Sequence, residues 1–342
     1  MSKLPMKLRN YRRLLSLCLL CILVCSSCVF SSGPKKYTAY SMDYFDTVTT
    51  VIGYAESKAE FDGISQEMLS LLGEYHRLYT IYDRYDGTEN ICTLNDQRAV
   101  SADRRIVDLL RFGQEAYDLT GGTVNIAMGS ILALWHDCRT NGMNALPSME
   151  SLESAAQHTD ISRMVIDGET VVLTDPLMKL DVGAVAKGYA VECIAHTMEE
   201  KGVTGYILNV GGNIRTIGSK PDGTPWNIGI ENPDGGDYLS YLGLNGQSVV
   251  TSGSYQRYFI VDGKKYHHII DPDTLMPAEG YSSVSVICND SGMGDALSTA
   301  LFCMTDEDGL ALVESLPGTE AMWVAEDGSR TVSSGWSAYV IE

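Results

Sequence analysis

YILNVGGNIRTIG, residues 206–218, contains two short runs rich in β-branched residues on either side of a Gly-Gly pair. Such residues favour strands, and glycine suits the turn between them. Similar runs follow at WNIGIE, residues 226–231, and at QSVVTS, residues 247–252, with Gly, Pro and Asp residues between them. Consecutive strands joined by short turns predict a mainly antiparallel sheet in this part of the chain.

The sequence before this stretch predicts both strands and helices. DTVTTVIGY, residues 46–54, is rich in β-branched residues and predicts a strand, and residues 163–174 predict a hairpin that turns at Asp167 and Gly168. One helix is predicted from Ser57 to about Ile81 and another from about Ala102 to Tyr117. In the first helix, apolar side chains recur every three or four residues and form one stripe: Phe61, Ile64, Met68, Leu71, Leu72, Tyr75 and Leu78.

Helices mixed with consecutive strands, without a regular βαβ repeat, favour an α+β fold. A further strand is predicted over residues 283–288 and a helix over residues 295–302. No Pro- or Ser-rich linker divides residues 41–342, so we expect one compact, two-lobed domain there. The chain has no G-x-G-x-x-G motif after a strand, no Walker loop, no G-x-S-x-G and no H-E-x-x-H. These absences argue against a Rossmann site, a P-loop NTPase and the common hydrolase and zinc classes.

The N-terminus has the features of an export signal. Residues 1–27 carry five Lys or Arg and no acid, and residues 14–25 form an apolar run. That run is shorter than the about 20 residues of a bilayer-spanning helix but fits a secretory signal. It ends in CSSC, residues 25–28, which resembles the lipobox of bacterial lipoproteins, so Cys28 is the candidate lipidation site. We expect a signal peptide over residues 1–27, a flexible tether over residues 28–40 and a lipid anchor at the outer face of the cell membrane; secretion without a lipid is the alternative.

Charge and cysteine content limit the partners further. Without residues 1–27 the chain keeps 20 Lys and Arg against 44 Asp and Glu, a net charge near −24. A surface of this charge repels nucleic acid, which is therefore excluded as a partner. The five cysteines that follow Cys28 show no CxxC spacing, so we expect buried free thiols rather than a disulfide framework.

DALST, residues 295–299, is a candidate metal motif. Asp295 and Thr299 are four residues apart at a predicted helix start, so they project from the same helix face. A carboxylate and a hydroxyl in that position can share Mg²⁺, which prefers oxygen ligands and usually takes only one or two carboxylates. Taken alone, the motif also fits an Asp that caps a helix.

Other motifs suggest a ligand site. LDVGAVAKGY, residues 180–189, places Asp181 and Lys187 near the start of a predicted helix that ends near Lys201. Asp181 can hydrogen-bond a ring edge and Lys187 can reach a phosphate; a capping Asp and a solvated Lys are the alternative. The adjacent glycines of residues 209–218 allow a ligand to approach closely or form a plain turn. TSGSYQRY, residues 251–258, and YHHIIDP, residues 266–272, add hydroxyls, an arginine and two histidines.

The ordered combination of motifs resembles the FAD:protein FMN transferase family, also called ApbE. The resemblance covers nearly all of residues 42–303 and implies an ApbE-like, T-fold-like domain. The motifs stand in the family's order and at compatible spacings: FDT (45–47), YDRYD (82–86) with Leu94-Asn95, VNIAMGSILALWH (124–136), LDVGAVAKGYAVE (180–192), YILNVGGNIRTIG (206–218), TSGSYQRYF (251–259), HHIIDP (267–272) and DALSTALF (295–302).

The resemblance also implies which residues bind the ligands. Mg²⁺ would take the carbonyl oxygen of Ala184 together with Asp295 and Thr299, with Ser298 adjacent. Many relatives have Met-Gly-Thr where this chain has Phe45-Asp46-Thr47. FAD would be bound as substrate by Phe45, Thr123, Val124, Asn125, Asp181, Lys187, Ile269 and Ile270.

In the implied reaction, a Thr or Ser hydroxyl of an acceptor protein attacks the FMN-side phosphorus of FAD and expels AMP. Such a transfer depends on in-line positioning and on charge neutralisation by Mg²⁺ at the diphosphate. His268, rather than His267, aligns with the histidine that precedes Ile-Ile-Asp-Pro in relatives and is the candidate catalytic general base.

The implied partners are flavin-bearing subunits of Rnf- or Nqr-type redox complexes, or extracellular flavoproteins. Two other functions remain open at this point. Water in place of the acceptor hydroxyl would make the protein an FAD pyrophosphatase that releases FMN and AMP. A chain without either activity would be an FAD-binding lipoprotein.

Overall fold

The computed structural model describes residues 33–140 and 145–341. Cys28 and the expected signal peptide lie outside the described residues. The strands are β1 (Lys35–Ser41), β2 (Thr49–Ala55), β3 (Ala99–Ser101), β4 (Met164–Asp167), β5 (Thr170–Leu173), β6 (Tyr206–Val210), β7 (Asn213–Ile217), β8 (Trp226–Ile230), β9 (Ser240–Leu244), β10 (Ser248–Gly253), β11 (Tyr258–Val261), β12 (Lys264–His267), β13 (Tyr281–Cys288), β14 (Glu320–Ala325), β15 (Arg330–Val332) and β16 (Val340–Ile341). The helices are α1 (Lys58–Tyr79), α2 (Ile91–Gln97), α3 (Arg104–Leu119), α4 (Gly129–Thr140), α5 (Met149–Ala156), α6 (Ala186–Glu200), α7 (Ser291–Cys303) and α8 (Asp306–Ser315).

An eight-stranded sheet forms the centre of the fold, in the order β1-β2-β6-β7-β10-β13-β14-β15. Every neighbouring pair in it is antiparallel. Three smaller sheets have the orders β3-β5-β4, β16-β9-β8 and β11-β12. The structure thus confirms the predicted α+β fold with a mainly antiparallel sheet, and β4 and β5 confirm the predicted hairpin.

Alternation of side chains along the central strands creates two buried faces. In β6, Tyr206 and Leu208 belong to the cluster that includes α1 and α6, whereas Ile207 belongs to a second cluster on the opposite face. Trp226 of β8 and Leu242 of β9 belong to this second cluster. The central sheet therefore lies between a helical layer and the small sheet β16-β9-β8.

Helix α1 follows the predicted apolar stripe, with Phe61, Met68 and Leu72 fully buried. The side chain of Ser57 caps its N-terminus by accepting a hydrogen bond from the Glu60 N–H at 3.2 Å. None of the helices in the described part of the chain is both long and apolar enough to cross a membrane.

Two expectations about element boundaries were wrong. Residues 35–40, assigned to a flexible tether, lie in β1, which pairs with β2 along seven residues from Lys35 to Ser41. The helix expected from Asp295 begins at Ser291, and Asp290 is its N-cap, accepting a hydrogen bond from the Met293 N–H at 2.9 Å. Asp295 is therefore an interior helical residue and not a helix cap.

Candidate functional site

A cavity of about 510 Å³ brings the predicted site residues together from distant parts of the chain. Its lining includes every predicted FAD contact, the candidate base and three of the four predicted metal residues: Phe45, Thr123, Val124, Asn125, Asp181, Ala184, Lys187, His268, Ile269, Ile270, Asp295 and Thr299. Ser298, the fourth, is buried behind the wall, where its hydroxyl oxygen lies 2.8 Å from that of Ser252.

Asp295 forms the centre of the candidate metal motif. Helix α7 buries its side chain to 5% exposure, yet it has polar contacts from two other elements, α6 and β7. The Gly188 N–H of α6 donates to its Oδ2 at 2.9 Å, and the Asn213 amide of β7 donates to its Oδ1 at 3.3 Å. The Lys187 ammonium lies 3.1 Å from Oδ1 and 3.3 Å from Oδ2.

A buried ion pair supports this arrangement one helical turn away. Glu192 of α6 accepts a hydrogen bond from the Ser291 N–H, the first residue of α7, at 2.6 Å. The Arg215 guanidinium of β7 donates to both carboxylate oxygens of Glu192 at 3.1 Å, and both side chains are buried. Because a buried carboxylate needs such partners, this pair ties α6, α7 and β7 together below the site.

The oxygen atoms around Asp295 suit a hard cation. In helix α6 the Gly188 N–H bonds Asp295 and not the carbonyl four residues earlier, and within the described residues no hydrogen-bond donor is found for the Ala184 carbonyl. The Oδ1 atom of Asn213 is buried without a partner, and the Thr299 hydroxyl donates to the Asp295 carbonyl at 3.1 Å. Among residues 33–140 and 145–341, no group of three or more His, Cys, Asp or Glu side chains could hold a metal. One carboxylate with carbonyl and hydroxyl oxygens fits Mg²⁺, which completes its shell with water and phosphate oxygens.

The two adjacent histidines have different environments. His267 is buried, with Nε2 2.8 Å from the Ala278 carbonyl and Nδ1 3.2 Å from the Ile269 N–H, so both ring nitrogens have partners. The His268 ring opens into the cavity, and its Nδ1 lies 3.3 Å from the Arg257 carbonyl. Since a carbonyl only accepts, Nδ1 carries the proton and Nε2 has the free lone pair.

The surroundings of His268 disfavour its charged form. His268 is accessible to solvent from the cavity, yet desolvation of its ring by the cavity walls lowers its pKa to about 3, and the nearby charges of Arg257, Lys187 and Arg139 act in the same direction. The imidazole is therefore neutral near pH 7 and able to accept a proton. Burial also raises the pKa of Asp181, the predicted ring contact, which lines the same cavity.

A strained loop forms another wall. Phe45 and Asp46 both have left-handed backbone, with φ of 54° and 50°, a conformation that costs energy for residues other than glycine. The Phe45 N–H donates to His76 Nδ1 at 3.2 Å, and the Arg257 guanidinium donates to the carbonyls of Phe45 and Asp46 at 3.3 and 3.1 Å. These contacts hold the loop in place.

Arg139, Arg257 and His76 were absent from the predicted site. Arg139 of α4 lines the cavity and donates to His136 Nδ1 at 3.0 Å. Arg257 lies inside the TSGSYQRY motif, which was the one signal in the sequence for its place here. With Lys187, the two arginines give the cavity three cationic side chains in an otherwise acidic protein.

Comparisons with known proteins agree with this geometry. The ApbE family model matches residues 42–323. The chain is 30% identical over 278 residues to the FAD:protein FMN transferase of Klebsiella pneumoniae, covering 80% of this chain and 85% of that protein. It is 30% identical over 340 residues to the FAD:protein FMN transferase of Treponema pallidum, covering 92% of both.

A solved structure extends the agreement to the fold. The crystal structure of the ApbE protein of Thermotoga maritima superposes with a TM-score of 0.82 at 30% identity, over 90% of this chain and all of that one. A family match over most of the chain, relatives of nearly equal length and a common fold lead to one conclusion. This chain belongs to the ApbE family.

Proposed function

We propose that this protein is an FAD:protein FMN transferase that moves FMN from FAD to a Thr or Ser hydroxyl of an acceptor protein and releases AMP. The observation that carries the proposal is the meeting, in one cavity, of a neutral histidine with a free Nε2 and an oxygen-rich face around Asp295. The names of the Klebsiella and Treponema relatives, which match over most of their length, support the same activity.

The proposed role of His268 follows from its hydrogen bond. With Nδ1 fixed on the Arg257 carbonyl, Nε2 takes the proton of the acceptor hydroxyl as that oxygen attacks the FMN-side phosphorus. One P–O bond forms, the P–O bond to AMP breaks, and AMP leaves with the electron pair of that bond. A general base of this kind contributes about 10²- to 10⁴-fold to the rate.

The diphosphate of FAD needs cations in so acidic a protein. Lys187, Arg139 and Arg257 line the cavity and supply positive charge for binding and orienting it. Ala184, Asp295 and Thr299 are the proposed Mg²⁺ ligands, with Ser298 behind them. When bound there, Mg²⁺ would neutralise charge on the diphosphate oxygens. Phe45, Val124, Ile269 and Ile270 supply apolar contact for the rings of FAD.

Location and acceptor are part of the proposal. A lipid on Cys28 would keep the enzyme at the outer face of the membrane. Rnf- or Nqr-type subunits and extracellular flavoproteins are exposed there, so they are the proposed acceptors. The transfer itself leaves the flavin ring untouched, which suits acceptors that use FMN as a redox group.

Intact-mass measurement tests the activity directly. The protein is incubated with FAD, Mg²⁺ and a candidate acceptor, and the acceptor should gain one FMN less one water while AMP appears. Release of FMN and AMP without a mass gain would identify a pyrophosphatase. Unchanged FAD held by the protein would identify a carrier. Either result would contradict the proposal.

A further inference from the structure

The ammonium of Lys187 lies on the carboxylate proposed to bind the metal. Its Nζ is 3.1 and 3.3 Å from the two oxygens of Asp295, whose side chain is 5% exposed. Among the described residues no other Lys, Arg or His forms an ion pair with Asp295. Lys187 is therefore the counter-ion of this buried carboxylate.

A divalent cation on Asp295 would compete with this ammonium. Both would contact the same carboxylate oxygens, and at that separation two positive charges repel strongly in a partly buried site. Burial also keeps water from screening the repulsion. Either the cation binds weakly or Lys187 moves away.

Among the polar contacts of Asp295, the one made by Lys187 is the one that can break. The Gly188 N–H belongs to the backbone of α6 and is fixed, while the Asn213 amide is neutral and is not repelled. The lysine has a flexible four-carbon stem, is 23% exposed and lines the cavity. From the first turn of α6 it can reach an anion in that cavity without a change in the backbone.

We infer that Lys187 and the divalent cation exchange at Asp295, and that the displaced ammonium pairs with the diphosphate of FAD. This inference rests on the proposed function, which supplies both ligands. Its consequence is cooperative binding: FAD gives the displaced ammonium a new partner, so FAD tightens the metal and the metal tightens FAD by the same factor. Metal alone, in contrast, has to displace Lys187 without that compensation.

The test is the affinity for metal alone. Mn²⁺ binding, followed by electron paramagnetic resonance of the free ion, should be at least about tenfold tighter in Lys187→Met than in the unchanged protein, because the competing charge is gone. Lys187→Gln should behave in the same way and serves as a second variant if the first folds poorly. Lys265→Met, which removes the same charge from an exposed strand position, is the matched control and should leave Mn²⁺ affinity unchanged.

The second measurement is the coupling itself. FAD titrations with and without Mg²⁺, made in a His268→Ala background to prevent turnover, should give a larger affinity ratio with Lys187 present than with Met in its place. If Mn²⁺ binding is lost in Asp295→Asn but is no tighter in Lys187→Met, the exchange is wrong, whereas the assignment of Asp295 as a metal ligand is kept. Mn²⁺ binding that persists unchanged in Asp295→Asn would overturn the metal assignment together with the exchange.

Discussion

The Gly188 N–H donates to the Asp295 carboxylate at 2.9 Å, and Gly188 packs closely against α7. A Cβ on Gly188 would lie 2.2 Å from the Ser291 carbonyl oxygen and 2.6 Å from the Asp295 Cβ. The hydrogen bond thus exists because this position has no side chain. The position of the proposed metal ligand depends on that contact.

Gly188→Ala should separate the two helices and damage the site. The expected loss is about 1–3 kcal/mol of unfolding free energy, the usual cost of overpacking, together with weaker Mn²⁺ binding. Gly63→Ala is the control, because Gly63 is a helical glycine of α1 with open space around it. That change should stabilise the protein by about 0.5–1 kcal/mol. Urea unfolding of both variants distinguishes the two effects, and equal effects would contradict the packing argument.

Asp295→Asn should abolish FMN transfer, so that added Mg²⁺ no longer changes the rate. The amide keeps the size of the side chain but loses the charge that a divalent cation needs. Transfer of FMN, measured by the mass of the acceptor, should fall to background at every Mg²⁺ concentration. Full activity of the unchanged protein in excess EDTA would refute the metal assignment.

His268→Ala should keep FAD binding and lose most of the transfer. The expected fall in rate is about 10²- to 10⁴-fold, the usual contribution of a general base. FAD binding is measured by titration and transfer by acceptor mass. His158→Ala, at a histidine paired with Asp175 outside the cavity, should change neither quantity. An undiminished rate in His268→Ala would remove the assigned role.

Activity should persist at mildly acid pH. An ordinary histidine base, with a pKa of about 6.5, would lose activity as the pH falls through that value. The pKa of His268 is lowered to about 3, so the ring stays neutral and transfer should stay flat from about pH 7.5 to 5. A fall in the transfer rate near pH 6.5 that remains when each of the other histidines is replaced would contradict this.

The same shift should make stability depend on pH. Burial lowers the pKa of His267 and His76 as well. Below about pH 6.5 the unfolded chain takes up protons that the folded protein does not, so stability should fall as the pH drops from about 6.5 towards 3. Urea midpoints across that range measure the effect.

Arg257→Met should loosen the loop that carries Phe45. The change removes both hydrogen bonds to the strained carbonyls of Phe45 and Asp46 and also one cation proposed to bind the diphosphate, and we expect FAD affinity to fall at least about tenfold, or about 1.4 kcal/mol. Arg330→Met is a matched control, since Arg330 also donates to a backbone carbonyl but far from the cavity. Equal FAD affinity in the two variants would show that the loop does not depend on Arg257.

Local patterns were sufficient to predict the fold class and most elements, because β-branched runs and turn glycines act over a few residues. The start of α7 was missed because SGMG, residues 291–294, contains two poor helix formers. Gly294 is required there, since a Cβ would lie 2.8 Å from Val250 of the central sheet. Strand β1 was missed because it is defined by its pairing with β2, a contact that the local sequence does not reveal.

The site, like the fold, could be predicted from the sequence only in part. Family motifs predicted the residues that line the cavity, and the structure places all but Ser298 on its wall. They did not predict which contacts those residues make. The ion pair of Lys187 with Asp295 joins residues more than 100 positions apart, and the fastening of Phe45 by Arg257 joins residues more than 200 apart. Only the folded chain brings such pairs together.

His268 directly follows the last residue of hairpin β11-β12, and Phe259 and Tyr266 of the hairpin pack against Trp135 of α4. The proposed metal-binding face, in contrast, is carried by α6, α7 and the central sheet. His268 and the proposed metal ligands are thus positioned by different elements of the fold. Substitutions on the outer side of the hairpin, where Tyr258 and Ile260 are exposed, should therefore leave the proposed metal ligands in place. The outer surface of the hairpin can thus change in evolution without disturbing Asp295.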